Sequence, residues 1–220
     1  TSRTCRLLVL TGMLLLCGMA SVSRAELTAK HREVVDNAMK RLLARIEKPE
    51  GYDAWPPKVI IEDSEVLNAF ATIDVDEYSQ SKKKIPTVTV TTALIETLRF
   101  EEDQLAFVLG HELGHHALRH VLMKIDDLLA GKKTPDFSRM AFQRDHELAA
   151  DQFGIQVAVS AGFSYRKGME ALARIRDTGE YTSFEEQHAD HPNWANRIAE
   201  LETESFPTAT KAGRIWDMPG

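Results

Sequence analysis

The sequence predicts an α+β chain, mainly helical with a small three-stranded sheet, and three observations carry that reading. Apolar residues recur at three- and four-residue steps over long stretches, first at Val34, Val35, Ala38, Leu42 and Ile46, then at Leu105, Val108, Leu109, Leu113, Ala117 and Leu118. Three short stretches between those series, 58–62, 68–76 and 85–91, have the apolar and alternating character of strands. Prolines and glycines punctuate the chain at 49–57, at 131–135 and at Gly162, so each element has a visible stop.

At the start, Arg3 and Arg6 precede an apolar run over 7–20, followed by small residues at Ser23 and Ala25. A basic region, a short apolar region and a small-residue site make a secretory signal over 1–25, with cleavage expected before Glu26. The run is shorter than the roughly 20 apolar residues of a spanning helix, so an uncleaved anchor is the lesser reading. Both cysteines, Cys5 and Cys17, fall inside this segment, which leaves the expected mature chain without a thiol or disulfide. Without Arg3, Arg6 and Arg24, 24 basic residues stand against 33 acidic ones, a net charge of −9. That balance argues against nucleic acid and against adhesion to anionic membranes. The remaining length, 26–220, suits one domain, with no repeat period visible. Oligomeric state is not legible.

A long amphipathic helix is expected over 26–47, with His31 as a solvated residue on it. The strand 58–62 follows an irregular connection, and 68–76 and 85–91 form a hairpin at the sheet edge, joined by a polar loop over 77–84. A short helix is expected over 93–98. The next, from Glu102 to about Leu122, opens on Glu101, Glu102 and Asp103, acids that suit its positive dipole end. Helical pattern continues over 121–129 and resumes over 137–161. Ser164 caps a further helix to about Asp177. A polar loop spans 179–190, Pro192 marks another helix start, and the tail over 206–220 reads as irregular.

The helix from Glu102 carries His111-Glu112-Leu113-Gly114-His115, an H-E-x-x-H spacing. Two histidines four residues apart lie about 40° apart on one helical face and can share a Zn²⁺ ion. Glu112 lies between them in angle, where a carboxylate can act as general base on a water held by the metal. Such a site needs a third ligand, and a ligating imidazole wants a carboxylate on its other nitrogen. In the later helix, Glu147 and Asp151 stand one turn apart and fit those two roles. His116 and His120, one turn apart on another face, read as polar packing or surface residues rather than a second metal site, and His146 as a bystander pointing about 100° away from Glu147.

Taken together these residues resemble a known family, the gluzincin metallopeptidases that include the CAAX prenyl proteases, the heat-shock protease HtpX, the mitochondrial Oma protease and soluble periplasmic quality-control proteases. The resemblance runs in order through Asn68-Ala69-Phe70-Ala71, the strand at 88–91, Leu109-Gly110-His111-Glu112-Leu113-Gly114-His115, Glu147 to Asp151 with Gly154, Ala161-Gly162, and His191-Pro192 with Arg197. It implies a zincin-like fold with an edge hairpin beside the H-E-x-x-H helix. It also implies that His111, His115 and Glu147 bind one zinc, that Glu112 is the catalytic base and that Asp151 supports a ligand. By the same resemblance His191 and Arg197 reach the site from the C-terminal segment, as candidate oxyanion-stabilising groups. Ala149 departs from the pattern, since many relatives carry an acid there. The match is to the small soluble exported members.

The expected function is therefore zinc-dependent endopeptidase action on exported, possibly misfolded, polypeptides, in the periplasm or after secretion, with no stable membrane span once the signal is cleaved. The rival is a zinc-bearing chaperone or binding module that holds unfolded chains along the edge strand with little turnover. Glu112 weighs against it, because binding alone needs no base.

Overall fold

The computed structural model describes residues 24–75, 83–129, 131, 136–178, 199 and 201. In chain order they form α1 (Arg24–Leu43), β1 (Lys58–Glu62), β2 (Ala69–Val75), β3 (Lys84–Thr91), α2 (Thr92–Thr97), α3 (Glu102–Ala117), α4 (His120–Leu129), α5 (Asp136–Ser160) and α6 (Tyr165–Asp177). This is the expected α+β class.

β3 is the middle strand, in the order β1-β3-β2. β1 runs parallel to it, with Ile60 opposite Thr89, and β2 runs antiparallel, with Ala71 opposite Val88. With a strand on each edge and α2 and α3 packed against it, β3 buries Thr87, Val88, Thr89, Val90 and Thr91. Thr91 also caps α2, its hydroxyl accepting from the Leu94 N–H while its own N–H donates to the Asn68 carbonyl. One residue thus ties the end of β3 to both the start of β2 and the next helix.

α3 is the element the others pack around: α1, α5, α6, α4 and strands β2 and β3 all lie against it. Its Leu105, Leu109 and Leu113 are fully buried, in a core shared with Val35, Ala38 and Leu42 of α1, Val88 and Val90 of β3, and Val157 and Ala158 of α5. α6 crosses where Gly168 faces the Phe107 ring, and a Cβ there would fall 2.0 Å from the ring edge. α1 is held at its C-terminal end by Arg41, whose guanidinium meets Glu102 at 2.9 Å, donates to the Ala161 carbonyl and stacks on Phe163.

Two helix ends differ from expectation, and α1 is one of them, closing at Leu43 rather than at Glu47. α3 stops at Ala117 rather than near Leu122, because Arg119 takes a left-handed φ of 64° and donates to the His116 carbonyl. α2 ends the same way: Arg99, at φ 56°, donates to the Glu96 carbonyl, and Phe100 to that of Ile95. α5 uses the usual residue for this turn, Gly162 at φ 84°, with Gly162 bonded to Val159 and Phe163 to Ala158. His31 is also corrected. It is buried, not solvated, its Nε2 3.0 Å from Glu96 Oε1 and its ring tilted against Phe100.

Candidate metal centre

The site is assembled where α3 and α5 touch backbone to backbone. A Cβ on Gly110 would lie 2.8 Å from the Gly154 carbonyl oxygen, and one on Gly114 3.0 Å from that of Ala150. The pairs run in opposite order along the chain, so the two helices are antiparallel. Only residues without side chains allow so close an approach, and it sets the faces bearing His111 and His115 against those bearing Glu147 and Asp151.

Three donor groups converge there. His111 Nε2 and His115 Nε2 are 3.1 Å apart, His111 Nε2 is 3.3 Å from Glu147 Oε2, and His115 Nε2 is 3.3 Å from Glu147 Oε1. Zn–N bonds of about 2.0–2.1 Å place neighbouring tetrahedral ligands about 3.3–3.4 Å apart. The observed separations are those of ligand edges. Hydrogen bonding between them is the weaker account, because each imidazole has its Nδ1 engaged elsewhere. His111 Nδ1 lies 2.8 Å from Asp151 Oδ1 and His115 Nδ1 lies 3.1 Å from His120 Nδ1. A neutral imidazole with its proton on Nδ1 keeps the Nε2 lone pair for a cation. Among the described residues His111, His115 and Glu147 are the group able to hold a metal ion.

Charge points the same way. Burial opposes a cationic His111, yet the Asp151 and Glu147 carboxylates outweigh it and hold its pKa up to about 10. Negative charge is in excess at this centre, and a divalent cation held by His111, His115 and Glu147 would balance it. Glu112, one residue beyond His111 on α3, is buried, as are Glu147 and Asp151.

Behind the donors stands a second set of polar groups. His116 is fully buried between Tyr52, whose hydroxyl lies 2.8 Å from Nδ1, and the Thr87 carbonyl, 3.1 Å from Nε2. It therefore bonds α3 to β3 and to the segment before β1. Burial pulls its pKa down to about 4 and pushes that of Tyr52 up. His120 is buried against His115, and His146 stacks on it at 3.9 Å with the planes 6° apart. His146 is thus no bystander. The bend at Arg119, which no glycine signals, is what returns His120 to the site.

Of the residues singled out in the sequence, His111, His115, Glu147 and Asp151 are brought together, and Glu112 lies on the same helix. His191 and Arg197 fall outside the described residues. No described helix is long and apolar enough to cross a membrane.

A helix presenting two imidazoles, an antiparallel helix supplying a carboxylate to the same point and another carboxylate behind it define a metallohydrolase of the H-E-x-x-H class. The description of peptidase family M48 matches residues 29–134 and 127–205. The chain belongs to peptidase family M48, whose members are zinc-dependent metallopeptidases. No curated protein matches it.

Proposed function

We propose that this chain is a zinc endopeptidase that hydrolyses peptide bonds in exported polypeptides, misfolded ones included. The observation that carries the reading is the triangle of His111 Nε2, His115 Nε2 and Glu147, with edges of 3.1–3.3 Å. Two histidines and one carboxylate leave a fourth tetrahedral position for water or substrate, the pattern of catalytic rather than structural zinc. Zinc bound there supplies a Lewis acid for the scissile carbonyl and lowers the pKa of a nearby water toward about 7.

The chain's own groups do the rest. His111 and His115 offer their Nε2 lone pairs because Asp151 and His120 engage the Nδ1 atoms. The Glu112 carboxylate takes the proton of the attacking water and hands it to the departing amine, so the leaving group departs neutral. His191 or Arg197 serves as the group that stabilises the tetrahedral oxyanion, a role for which the family resemblance is the support. β2 pairs with β3 on one side and packs against α3, the helix that carries His111 and His115, and its other edge offers main-chain groups to which an extended substrate can be added as a strand. Binding through main-chain hydrogen bonds makes little demand on sequence and suits an unfolded chain. The exported location rests on the basic-apolar-small pattern over 1–25.

The test is turnover of a reduced, alkylated protein by the purified chain. Cleavage that a chelator abolishes and stoichiometric Zn²⁺ restores supports the proposal. Tight binding of the unfolded chain by zinc-loaded protein, with no cleavage, would replace it with the holding function.

A further inference from the structure

His120 lies beyond α3 and outside the H-E-x-x-H spacing, yet its Nδ1 is 3.1 Å from His115 Nδ1, with the rings 5.2 Å apart between centroids and 67° between planes. Two imidazole nitrogens at that distance bond only if one of them carries a proton. His115 directs Nε2 to His111 and Glu147. If that nitrogen donates its lone pair to a cation, the proton sits on Nδ1 and His120 Nδ1 is the acceptor.

We infer that His120 is a positioning residue for His115: it receives the His115 Nδ1–H and fixes both the tautomer and the plane of that imidazole, as Asp151 does for His111. The inference rests on the metal-centre reading above and deepens it.

Three features of the chain support the assignment. On an unbroken helix, a residue five places on would stand about 140° away from His115 and about 7.5 Å further along the axis. The left-handed Arg119, at φ 64°, cancels that displacement. His120 is also buried and cannot turn freely, because His146 of α5 lies parallel to it at 3.9 Å. Finally, the two ligand imidazoles have unlike partners. Glu147 and Asp151 already put two carboxylates at the centre, enough to match a divalent cation, and a third would add unbalanced buried charge. A neutral acceptor orients His115 without that cost.

The assignment predicts distinct behaviour for two substitutions, read as Zn²⁺ affinity of the full chain in competition with a chromophoric chelator. His120→Phe keeps an aromatic ring on His146 but removes the acceptor, and zinc should bind about 10- to 100-fold more weakly, the usual effect of losing such a partner. His120→Asn returns an acceptor close to the place of Nδ1 and should restore affinity to within about threefold of the parent. Melting in chelator reports whether each variant is folded. If folded His120→Phe binds like the parent, or His120→Asn is as weak as His120→Phe, the inference is overturned. Should His120→Phe not fold, the zinc-loaded parent still decides the matter by long-range proton–nitrogen NMR: a protonated His115 Nδ1 coupled to an unprotonated His120 Nδ1 supports it, and an unprotonated His115 Nδ1 overturns it. A parent that binds no zinc would take down the metal reading and this inference together. A zinc-dependent parent with an indifferent His120 takes down the inference alone.

Discussion

Gly154 is packed against the backbone of His111: a Cβ on the glycine would fall 2.6 Å from the His111 nitrogen. The contact is main chain against main chain, so neither side can yield by turning a side chain. Gly154→Ala should force α3 and α5 apart, costing on the order of 1–3 kcal/mol as overpacked sites do. It should also open the donor triangle, because His111 and Glu147 lie on the two helices that move. A lowered melting temperature in chelator together with weakened Zn²⁺ binding is the expected result. A variant matching the parent in both would show that the approach of the helices does not set the site.

The same contact explains how much could be read in advance. Helical spacing alone puts His111 with His115, and Glu147 with Asp151, each pair on one face, so the candidate donors were legible without knowing how the helices pack. Strand alternation located β1, β2 and β3 to within a residue at each end. What escaped depends on tertiary packing or on unusual backbone. Arg119 takes a left-handed conformation without a glycine to announce it, so the helical pattern in the sequence runs on to Leu122 and points His120 to another face. His31 stands in a polar stretch of α1, and only the placement of Glu96 and Phe100 buries it.

Glu112→Gln separates holding the metal from using it. The amide fills the same space and leaves His111, His115 and Glu147 untouched, so stoichiometric Zn²⁺ should remain. Turnover should fall at least about a hundredfold, the scale expected when a general base is removed. Near-parental cleavage by a metal-replete variant would require another base.

Glu147→Ala and Asp151→Ala should differ in degree. The first removes one of three donor groups and should weaken Zn²⁺ binding and turnover together. The second leaves the donors in place but frees His111 Nδ1, and a loss of about 10- to 100-fold is expected. Equilibrium dialysis of both variants makes the comparison, and Glu147→Ala retaining parental affinity would remove Glu147 from the donor set.

His116 gives the metal-free protein a defined sensitivity to acid. It sits fully buried, and its Nδ1 accepts from the Tyr52 hydroxyl while its Nε2–H donates to the Thr87 carbonyl. Both bonds suit the neutral ring, and burial pulls its pKa from 6.5 to about 4. Between those values the unfolded chain binds the proton and the folded one does not. The contribution is therefore complete above about pH 6.5 and is lost progressively as pH falls toward 4, amounting to about 2 kcal/mol between pH 7 and pH 5. His120, drawn down to about 3 by burial, acts in the same direction. His111, held up to about 10, acts oppositely and at higher pH, its contribution being lost as pH rises through that value. His116→Gln isolates the one group: it can still donate to Thr87 but cannot take a proton. Urea unfolding in chelator should show the variant less stable than the parent at pH 7, by about 1 kcal/mol for the impaired Tyr52 bond. Its loss between pH 7 and pH 5 should be smaller than the parent's by about 2 kcal/mol. Equal losses in the two proteins would mean that His116 does not carry the acid sensitivity.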